Sequence, residues 1–171
     1  MKFLQTATLL SGFMISFLVT NAVQAQDQDP ALGSWHTVDD ETGEIKSLVV
    51  LSLAEDGTMV GVIKKVLKKD GGAALCVECE GDMKDQPIEG MRFVWGVERT
   101  GEGEWEDGQL LDPESGSVYT GNITIGENPN ELEVRGYVGI SLFGRSQTWL
   151  RVQVAAATAE EVTAEVTAEV K

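Results

Sequence analysis

Turn signals recur along residues 32–154 and constrain the fold more than any other feature of the chain. Clusters such as Glu55-Asp56-Gly57 and Gly101-Glu102-Gly103 combine acidic residues with Gly, which readily adopts positive φ and reverses the chain. Several of the segments between the clusters alternate apolar and polar residues, as half-buried strands do. The sequence therefore predicts eight strands: Gly33–Val38, Ile45–Leu53, Thr58–Leu67, Met91–Glu98, Trp105–Leu111, Val118–Ile125, Leu132–Val138 and Gln147–Val154.

Most of the connections are short, so consecutive strands are expected to pair antiparallel. No helix is predicted to cover the resulting sheet, which must either close on itself or pack against a second sheet. A closed up-and-down barrel removes the edge strands altogether, and about eight strands enclose side chains or one small ligand. We therefore predict an all-β fold, a single eight-stranded antiparallel barrel of the calycin type, with a sandwich or an open barrel as the alternative.

The first and last predicted strands carry a pair of residues that supports the barrel. Gly33-Ser34-Trp35 opens the first strand and Arg151 lies in the last. In lipocalin-like barrels a Gly-x-Trp near the N-terminus is commonly packed by a basic residue of the final strand, through a cation–π contact. Trp35 and Arg151 are therefore the predicted barrel-closing pair; the alternative is that Trp35 is an ordinary core residue.

The chain begins with the pattern of a secretory signal peptide. Lys2 precedes an uncharged, mostly apolar run, and small residues lead up to Ala25, after which cleavage is expected. The alternative, a membrane anchor, would need roughly 20 apolar residues, more than the run provides. The predicted organisation is a signal peptide (1–25), a polar leader (26–31), the barrel domain (32–154) and an acidic low-complexity tail (155–171). We expect an exported chain, periplasmic or alternatively secreted, with no stable membrane insertion after cleavage.

The charge of the chain limits its partners. It has 13 Lys and Arg against 28 Asp and Glu, a formal charge of −15, and one His. Nucleic acids and anionic membrane surfaces attract basic patches, so neither is expected as a partner. A single His excludes metal cages rich in His. No cofactor is predicted, and a protein partner, if there is one, is left unidentified.

Cys76 and Cys79 are three residues apart, in the one long connection. In an exported protein such thiols are expected to form a local disulfide. A redox-active pair is disfavoured because Glu78 and Glu80 oppose the thiolate. Zinc would require four ligands, of which only His36 could join the cysteines without carboxylates. Haem attachment would need His where Glu80 stands.

The sequence offers no catalytic group. His36 has no Ser in a Gly-x-Ser-x-Gly setting to activate, and with 28 acids carboxylate pairs arise by chance. We therefore predict no enzyme and no catalytic or metal-binding residue. The candidates for ligand contact are aromatic and Arg side chains on strands, whose alternative role is to fill the core: Arg92, Trp95, Tyr119, Arg135, Tyr137 and Trp149. Alternation puts Arg135 and Tyr137 on one face without showing whether that face is inside.

Several segments together resemble a bacterial exported family known as domain of unknown function 2147 (DUF2147). The matching segments are Gly33-Ser34-Trp35, Cys76-Val77-Glu78-Cys79, Gln86-Pro87-Ile88-Glu89-Gly90-Met91, Asp107-Gly108-Gln109-Leu110-Leu111-Asp112-Pro113-Glu114-Ser115-Gly116, Val134-Arg135-Gly136-Tyr137-Val138-Gly139 and Leu142-Phe143-Gly144-Arg145-Ser146-Gln147-Thr148-Trp149. They span nearly all of residues 32–152. The resemblance implies an exported, lipocalin-like domain and transfers no activity or catalytic residue. The tail departs from the family pattern.

The sequence thus favours an envelope barrel that binds a small apolar or amphipathic molecule. The alternative is an interaction or stress-protective module that acts through its surface, which predicts an exposed apolar patch. A redox or hydrolytic enzyme is the third and least favoured hypothesis.

Overall fold

The structure, a computed structural model, describes residues 29–67 and 74–153. Its eight strands are β1 (Gly33–Val38), β2 (Ile45–Leu53), β3 (Met59–Val66), β4 (Arg92–Gly101), β5 (Glu104–Asp112), β6 (Ser117–Ile125), β7 (Glu131–Tyr137) and β8 (Arg145–Arg151). Single 3-10 turns at Gly81–Met83 and Ser141–Phe143 lie in the β3–β4 and β7–β8 connections. Within these described ranges, no helix is long and apolar enough to cross a membrane. The predicted signal peptide and tail lie outside them.

Each strand pairs antiparallel with the next, and β1 pairs with β8 to close the barrel. The predicted all-β, eight-stranded antiparallel barrel is confirmed, and the sandwich alternative was wrong. Strand β8 begins at Arg145, two residues before its predicted start, because Arg145 pairs with Gly136 of β7. Its predicted last residue, Val154, lies outside the described part of the chain.

Apolar side chains fill the half of the barrel where β1, β3, β5 and β7 begin. Trp35, Leu51, Met59 and Trp105 are each at most 1% exposed there. Gly61 is needed in this packing, because a Cβ at that position would lie 2.8 Å from Cβ of Val94. This half, which we call the closed end, contains the largest fully buried side chains of the described residues.

Arg151 seals the closed end. Its guanidinium carbon lies 4.1 Å from the ring centroid of Trp35, within the range of a cation–π contact. The guanidinium also donates hydrogen bonds to the carbonyl oxygens of Pro30, Leu32 and Pro129. The Trp35 indole donates to the carbonyl of Ala31 at 3.0 Å. The predicted pair thus ties the first strand, the last strand and the leading segment together.

Asp29 ties the same end to the β4–β5 hairpin. Its carboxylate accepts hydrogen bonds from the Trp105 indole at 3.0 Å, from Arg99 at 2.8 Å and from the backbone N–H groups of Gly103 and Ala31. Burial alone would raise the pKa of Asp29, but the hydrogen bonds, led by that of Trp105, outweigh it and the pKa lies below its usual value. The carboxylate therefore stabilises the fold in its ionised form.

Replacing Arg151 tests the seal. Arg151→Gln should lower the free energy of unfolding by about 3 kcal/mol, because a cation–π contact and charge-assisted hydrogen bonds to three carbonyls are lost. The measurement is urea denaturation followed by Trp fluorescence. Arg145→Gln is the matched control, since Arg145 makes one ion pair, with Asp40, and its side chain is 70% exposed. The control should change stability by about 0.5 kcal/mol or less; equal effects of the two substitutions would contradict the assignment.

The lowered pKa of Asp29 makes stability depend on pH. A carboxyl whose pKa is depressed by folding contributes stability above its unfolded pKa, about 3.9, and this is lost as pH falls through the folded value. Asp29→Asn should therefore reduce the free energy of unfolding by about 2 kcal/mol at pH 7 and by progressively less below about pH 4. Urea titrations between pH 7 and pH 2 would measure this. If the two proteins differed in free energy of unfolding by the same amount at every pH in that range, Asp29 would stabilise the fold through packing and not through its charge. The exposed Asp56, with a pKa lowered by Thr58, provides Asp56→Asn as a control with a smaller effect.

Candidate functional site

A cavity of about 620 Å³ occupies the other half of the barrel. It opens to solvent where β1, β3, β5 and β7 end, so its mouth is bordered by the β1–β2 and β5–β6 hairpins and by the longer β3–β4 and β7–β8 connections. Residues at this mouth include Val38, Lys46, Ala74, Pro113 and Arg145. The volume lies within the usual range of pockets that hold small molecules, and it is many times that of a water molecule.

The deep wall of the cavity is apolar. Ile63, Phe93, Leu110, Val134 and Trp149 line it, each from a different strand, and none is more than 9% exposed. The rings of Phe93 and Trp149 have centroids 5.8 Å apart at an interplanar angle of 33°, a tilted aromatic contact. This wall favours an apolar group over a charged one.

Polar groups lie nearer the mouth. The Thr37 and Ser47 hydroxyls are hydrogen-bonded to each other at 2.7 Å and are almost buried. The Gln147 side chain accepts a hydrogen bond from the Trp149 indole and donates one to Asp40, both at 3.3 Å. The interior thus changes from apolar at its depth to polar at its opening.

Charged side chains border the opening in opposite-sign pairs. Lys46 Nζ lies 2.9 Å from Glu114 and 3.9 Å from Asp39, and Arg145 lies 2.8 Å from Asp40. These pairs are partly exposed, so water screens them and their groups can exchange partners at little cost. The opening can therefore receive a polar or charged head group of either sign.

The long β3–β4 connection forms one side of the mouth, and a disulfide between Cys76 and Cys79 shapes it. The two cysteines are at most 2% exposed, and Sγ of Cys76 lies 3.3 Å from the carbonyl oxygen of Pro113. Gly116, at φ +69°, packs so closely on the carbonyl of Glu78 that a Cβ would not fit. The connection is thereby held against the β5–β6 hairpin, and its Ala74 and Ile88 complete the cavity wall.

Two of the six predicted ligand-contact residues line the cavity. Trp149 lies in the deep wall, and Tyr119 of β6, half-buried, faces inward beside Gly136, where a Cβ would lie 3.4 Å from its own Cβ. Both are positioned to touch a bound molecule, as proposed from the sequence.

Arg92, Trp95, Arg135 and Tyr137 do not line the cavity, so the prediction that they contact a ligand there needs correction. On β4 an irregularity in the pairing turns both Phe93 and Val94 inward, which leaves Trp95 on the outer side, paired with Gln109. Arg92, which precedes them, is exposed.

On β7, Arg135 and Tyr137 do share one face, as predicted, and it is the outer one. Arg135 donates to backbone carbonyls of the β7–β8 connection. The Tyr137 hydroxyl lies 3.5 Å from Asp107, and burial, followed by the charge of that carboxylate, raises the pKa of Tyr137.

Sequence reasoning missed the polar pair Thr37 and Ser47 and the amide of Gln147. The sequence did contain a signal for the two hydroxyls, because period-two alternation puts Thr37 on the same face of β1 as Trp35 and Ser47 on the same face of β2 as Val49. His36 lies between inward-facing neighbours and points outward, at the pairing with Leu150. No group of three His, Cys, Asp or Glu side chains suited to a metal ion occurs among the described residues.

A closed eight-stranded barrel with one end sealed by an Arg–Trp pair and the other open to an apolar cavity is a lipocalin-like fold. Residues 33–151 match the profile of the family described as "Uncharacterized protein conserved in bacteria (DUF2147)", and the chain belongs to this family. The fold is similar to that of protein HP1028 from Helicobacter pylori, described as belonging to the lipocalin family, with a TM-score of 0.62 and 17% identity over 78% of this chain and 87% of that one. No curated protein sequence matches the chain.

Removing the disulfide should loosen the mouth while leaving the barrel intact. Replacing Cys76 and Cys79 together by Ser is expected to lower the free energy of unfolding by about 2 kcal/mol, the chain-entropy value for so short a loop. Amide hydrogen exchange should accelerate in residues 74–90 and stay slow in the strands. Val77→Ser, at an exposed position inside the same loop, is the control and should change neither quantity appreciably. Unchanged exchange in the double variant would show that packing alone holds the connection.

Proposed function

We propose that this protein binds one small apolar or amphipathic molecule inside its barrel, in the cell envelope. The observation that carries the proposal is the cavity of about 620 Å³ with an apolar wall and a polar mouth. Eight-stranded barrels of this kind are wide enough to hold one small ligand. Binding alone is proposed, with no catalytic step.

The gradient of polarity suggests how the ligand would lie. Its apolar part would pack against Phe93, Leu110 and Trp149, where the desolvation of a charge would be unfavourable. A polar head would remain near Gln147 and Lys46, where hydrogen-bonding groups and water are available. Since Lys46 and Arg145 are paired with carboxylates, the head need not carry a particular charge.

Export is part of the proposal. Its support is the pattern of residues 1–25, which lie outside the described residues, together with the disulfide, since such bonds persist in oxidising compartments. We propose the periplasm as the location, with secretion as the alternative. A protein there would meet amphipathic molecules released from the envelope membranes.

A pair of neighbouring substitutions tests occupation of the cavity. Val66 lines the cavity near its mouth and is half-buried, so the ring in Val66→Trp can enter the cavity and displace a ligand. Lys65→Trp adds the same ring one residue earlier, on an exposed position outside the cavity. The measurement is native mass spectrometry on protein released from the native cells by osmotic shock, without refolding.

The unsubstituted protein should appear in the shock fluid at the mass of a chain cleaved after Ala25, with a small-molecule adduct that Lys65→Trp retains. Val66→Trp should lose at least about nine-tenths of the adduct, because filling the cavity removes the space and apolar contacts that the ligand uses. Equal adduct in both variants would place the molecule elsewhere and contradict the proposal. Recovery of the full-length mass from the membrane fraction would contradict export with cleavage.

The alternative function, an interaction or stress-protective module acting through its surface, is favoured by a different observation. Leu142 and Phe143 are 77% and 80% exposed on the β7–β8 connection, although such side chains are usually buried. Neighbouring exposed apolar side chains form a contiguous patch, and large contiguous patches of this kind mark interaction sites.

A further inference from the structure

The β7–β8 connection presents a cluster of apolar side chains to solvent. Val138 is 74% exposed, Ile140 58%, Leu142 77% and Phe143 80%. We call residues 138–143 the apolar loop. Isolated exposed apolar residues are ordinary, but four in six consecutive positions leave a concentrated area whose burial would be favourable.

Hydrogen bonds and close backbone packing hold the apolar loop in the conformation that exposes these side chains. Arg135 donates hydrogen bonds from Nε and Nη2 to the carbonyl oxygen of Ser141 at 3.0 and 2.7 Å, and from Nη1 to Ser146 Oγ at 3.0 Å. Gly144 lies against the backbone of Gly136, where a Cβ would come within 2.9 Å of the carbonyl oxygen. The backbone is thus tied down while the apolar side chains point away from the barrel.

The charges around the apolar loop differ from those of the rest of the chain. Residues 136–144 carry no charge, although the chain has a formal charge of −15. The charged residues that flank this stretch are both cationic, Arg135 and Arg145, and Arg145 is shared with Asp40. Both guanidinium groups are engaged within the protein, that of Arg135 by the loop carbonyls and Ser146 and that of Arg145 by Asp40. The tip of the loop is therefore an uncharged apolar segment on an acidic chain, which fits the boundary between the head groups and acyl chains of a lipid surface.

The loop is also part of a wider asymmetry. Gly136 and Arg145, at its two ends, line the mouth of the cavity. Among the described residues, the exposed large hydrophobic side chains near the closed end are Leu53 and Leu150. The others lie toward the mouth: Ile45, Leu67, Leu75, Val77, Val118, Val138, Ile140, Leu142 and Phe143.

We propose that the apolar loop docks the open end of the barrel on the surface of a zwitterionic lipid bilayer. Ile140, Leu142 and Phe143 would enter the boundary between head groups and acyl chains, and the strongly acidic body would stay in water. Zwitterionic lipid is specified because anionic lipid would repel a chain of charge −15. The docking would bring the cavity to a source of amphipathic molecules, and this consequence rests on the proposed function. The docking itself does not depend on it.

Vesicle sedimentation tests the docking with matched variants. The mature protein should sediment with phosphatidylcholine vesicles, and less so when phosphatidylglycerol replaces part of the lipid. Leu142→Ser combined with Phe143→Ser should reduce the bound fraction by about tenfold, since binding scales with the apolar area buried. Leu53→Ser, an exposed leucine near the closed end, should bind as the unsubstituted protein does. All three positions are exposed, so all variants are expected to fold, and thermal unfolding would verify it.

A fluorescent label reports which end touches the lipid. The two native cysteines are joined to each other, so Leu142→Cys and Leu53→Cys each provide one thiol for an environment-sensitive dye. Phosphatidylcholine vesicles should shift the emission to shorter wavelength for the label at 142 and leave the label at 53 unchanged.

Several results would overturn the proposal. They are an unsubstituted protein that stays in the supernatant, equal binding by the double variant, and stronger binding to anionic than to zwitterionic vesicles. Self-association in lipid-free solution that the double variant abolishes, measured by sedimentation velocity, would assign the apolar loop to a second copy of the chain instead. Because these assays use no cavity ligand, and the adduct measurement uses no vesicles, failure of the docking and failure of ligand binding can be told apart.

Discussion

The contact between Arg151 and Trp35 is the interaction on which the rest of the structure depends. The backbone ladder that closes the barrel is short: it pairs Trp35 with Arg151 and His36 with Leu150, and the N–H of Val152 donates to the carbonyl of Ser34. A guanidinium 4.1 Å from the indole centroid, hydrogen-bonded to carbonyls of the leading segment and of the β6–β7 connection, adds side-chain links to that ladder. Since closure removes both sheet edges, this contact also protects the barrel from edge-to-edge association.

Sealing one end decides where the barrel can be hollow. The large side chains Trp35, Met59 and Trp105 are packed toward the sealed end, where Asp29 also ties the leading segment to the β4–β5 hairpin. Toward the other end Thr37 and Ser47 occupy inward positions of β1 and β2, and the surrounding apolar and aromatic side chains line a cavity instead of filling the interior. The interior thus has a packed apolar core at the sealed end and a cavity at the other end whose wall becomes polar toward its mouth.

The sequence was sufficient for the strands, because turn residues and period-two alternation are local signals. The contact of Trp35 with Arg151 joins the two ends of the barrel and was expected only from the Gly-x-Trp pattern of lipocalin-like barrels. It was insufficient for the cavity wall. Alternation assumes a regular strand, which would put Phe93 and Trp95 on the same side, but the irregularity that turns Phe93 and Val94 both inward leaves Trp95 on the opposite side from Phe93. Alternation also placed Arg135 and Tyr137 together without revealing that their face is outside. Which face is inside depends on contacts between strands distant in sequence, and one chain read alone does not contain them.

The two ends of the barrel differ in what they can approach. A chain of formal charge −15 is repelled by anionic surfaces and is well hydrated, so contact with an apolar surface is restricted to regions where charge is missing. The uncharged stretch 136–144 is such a region, and Arg135 holds its backbone in a single shape. Gly136 begins this stretch, Arg145 directly follows it, and both line the cavity. A partner bound to the loop would therefore lie beside the opening. The same end of the barrel therefore carries both the cavity entrance and the exposed apolar loop.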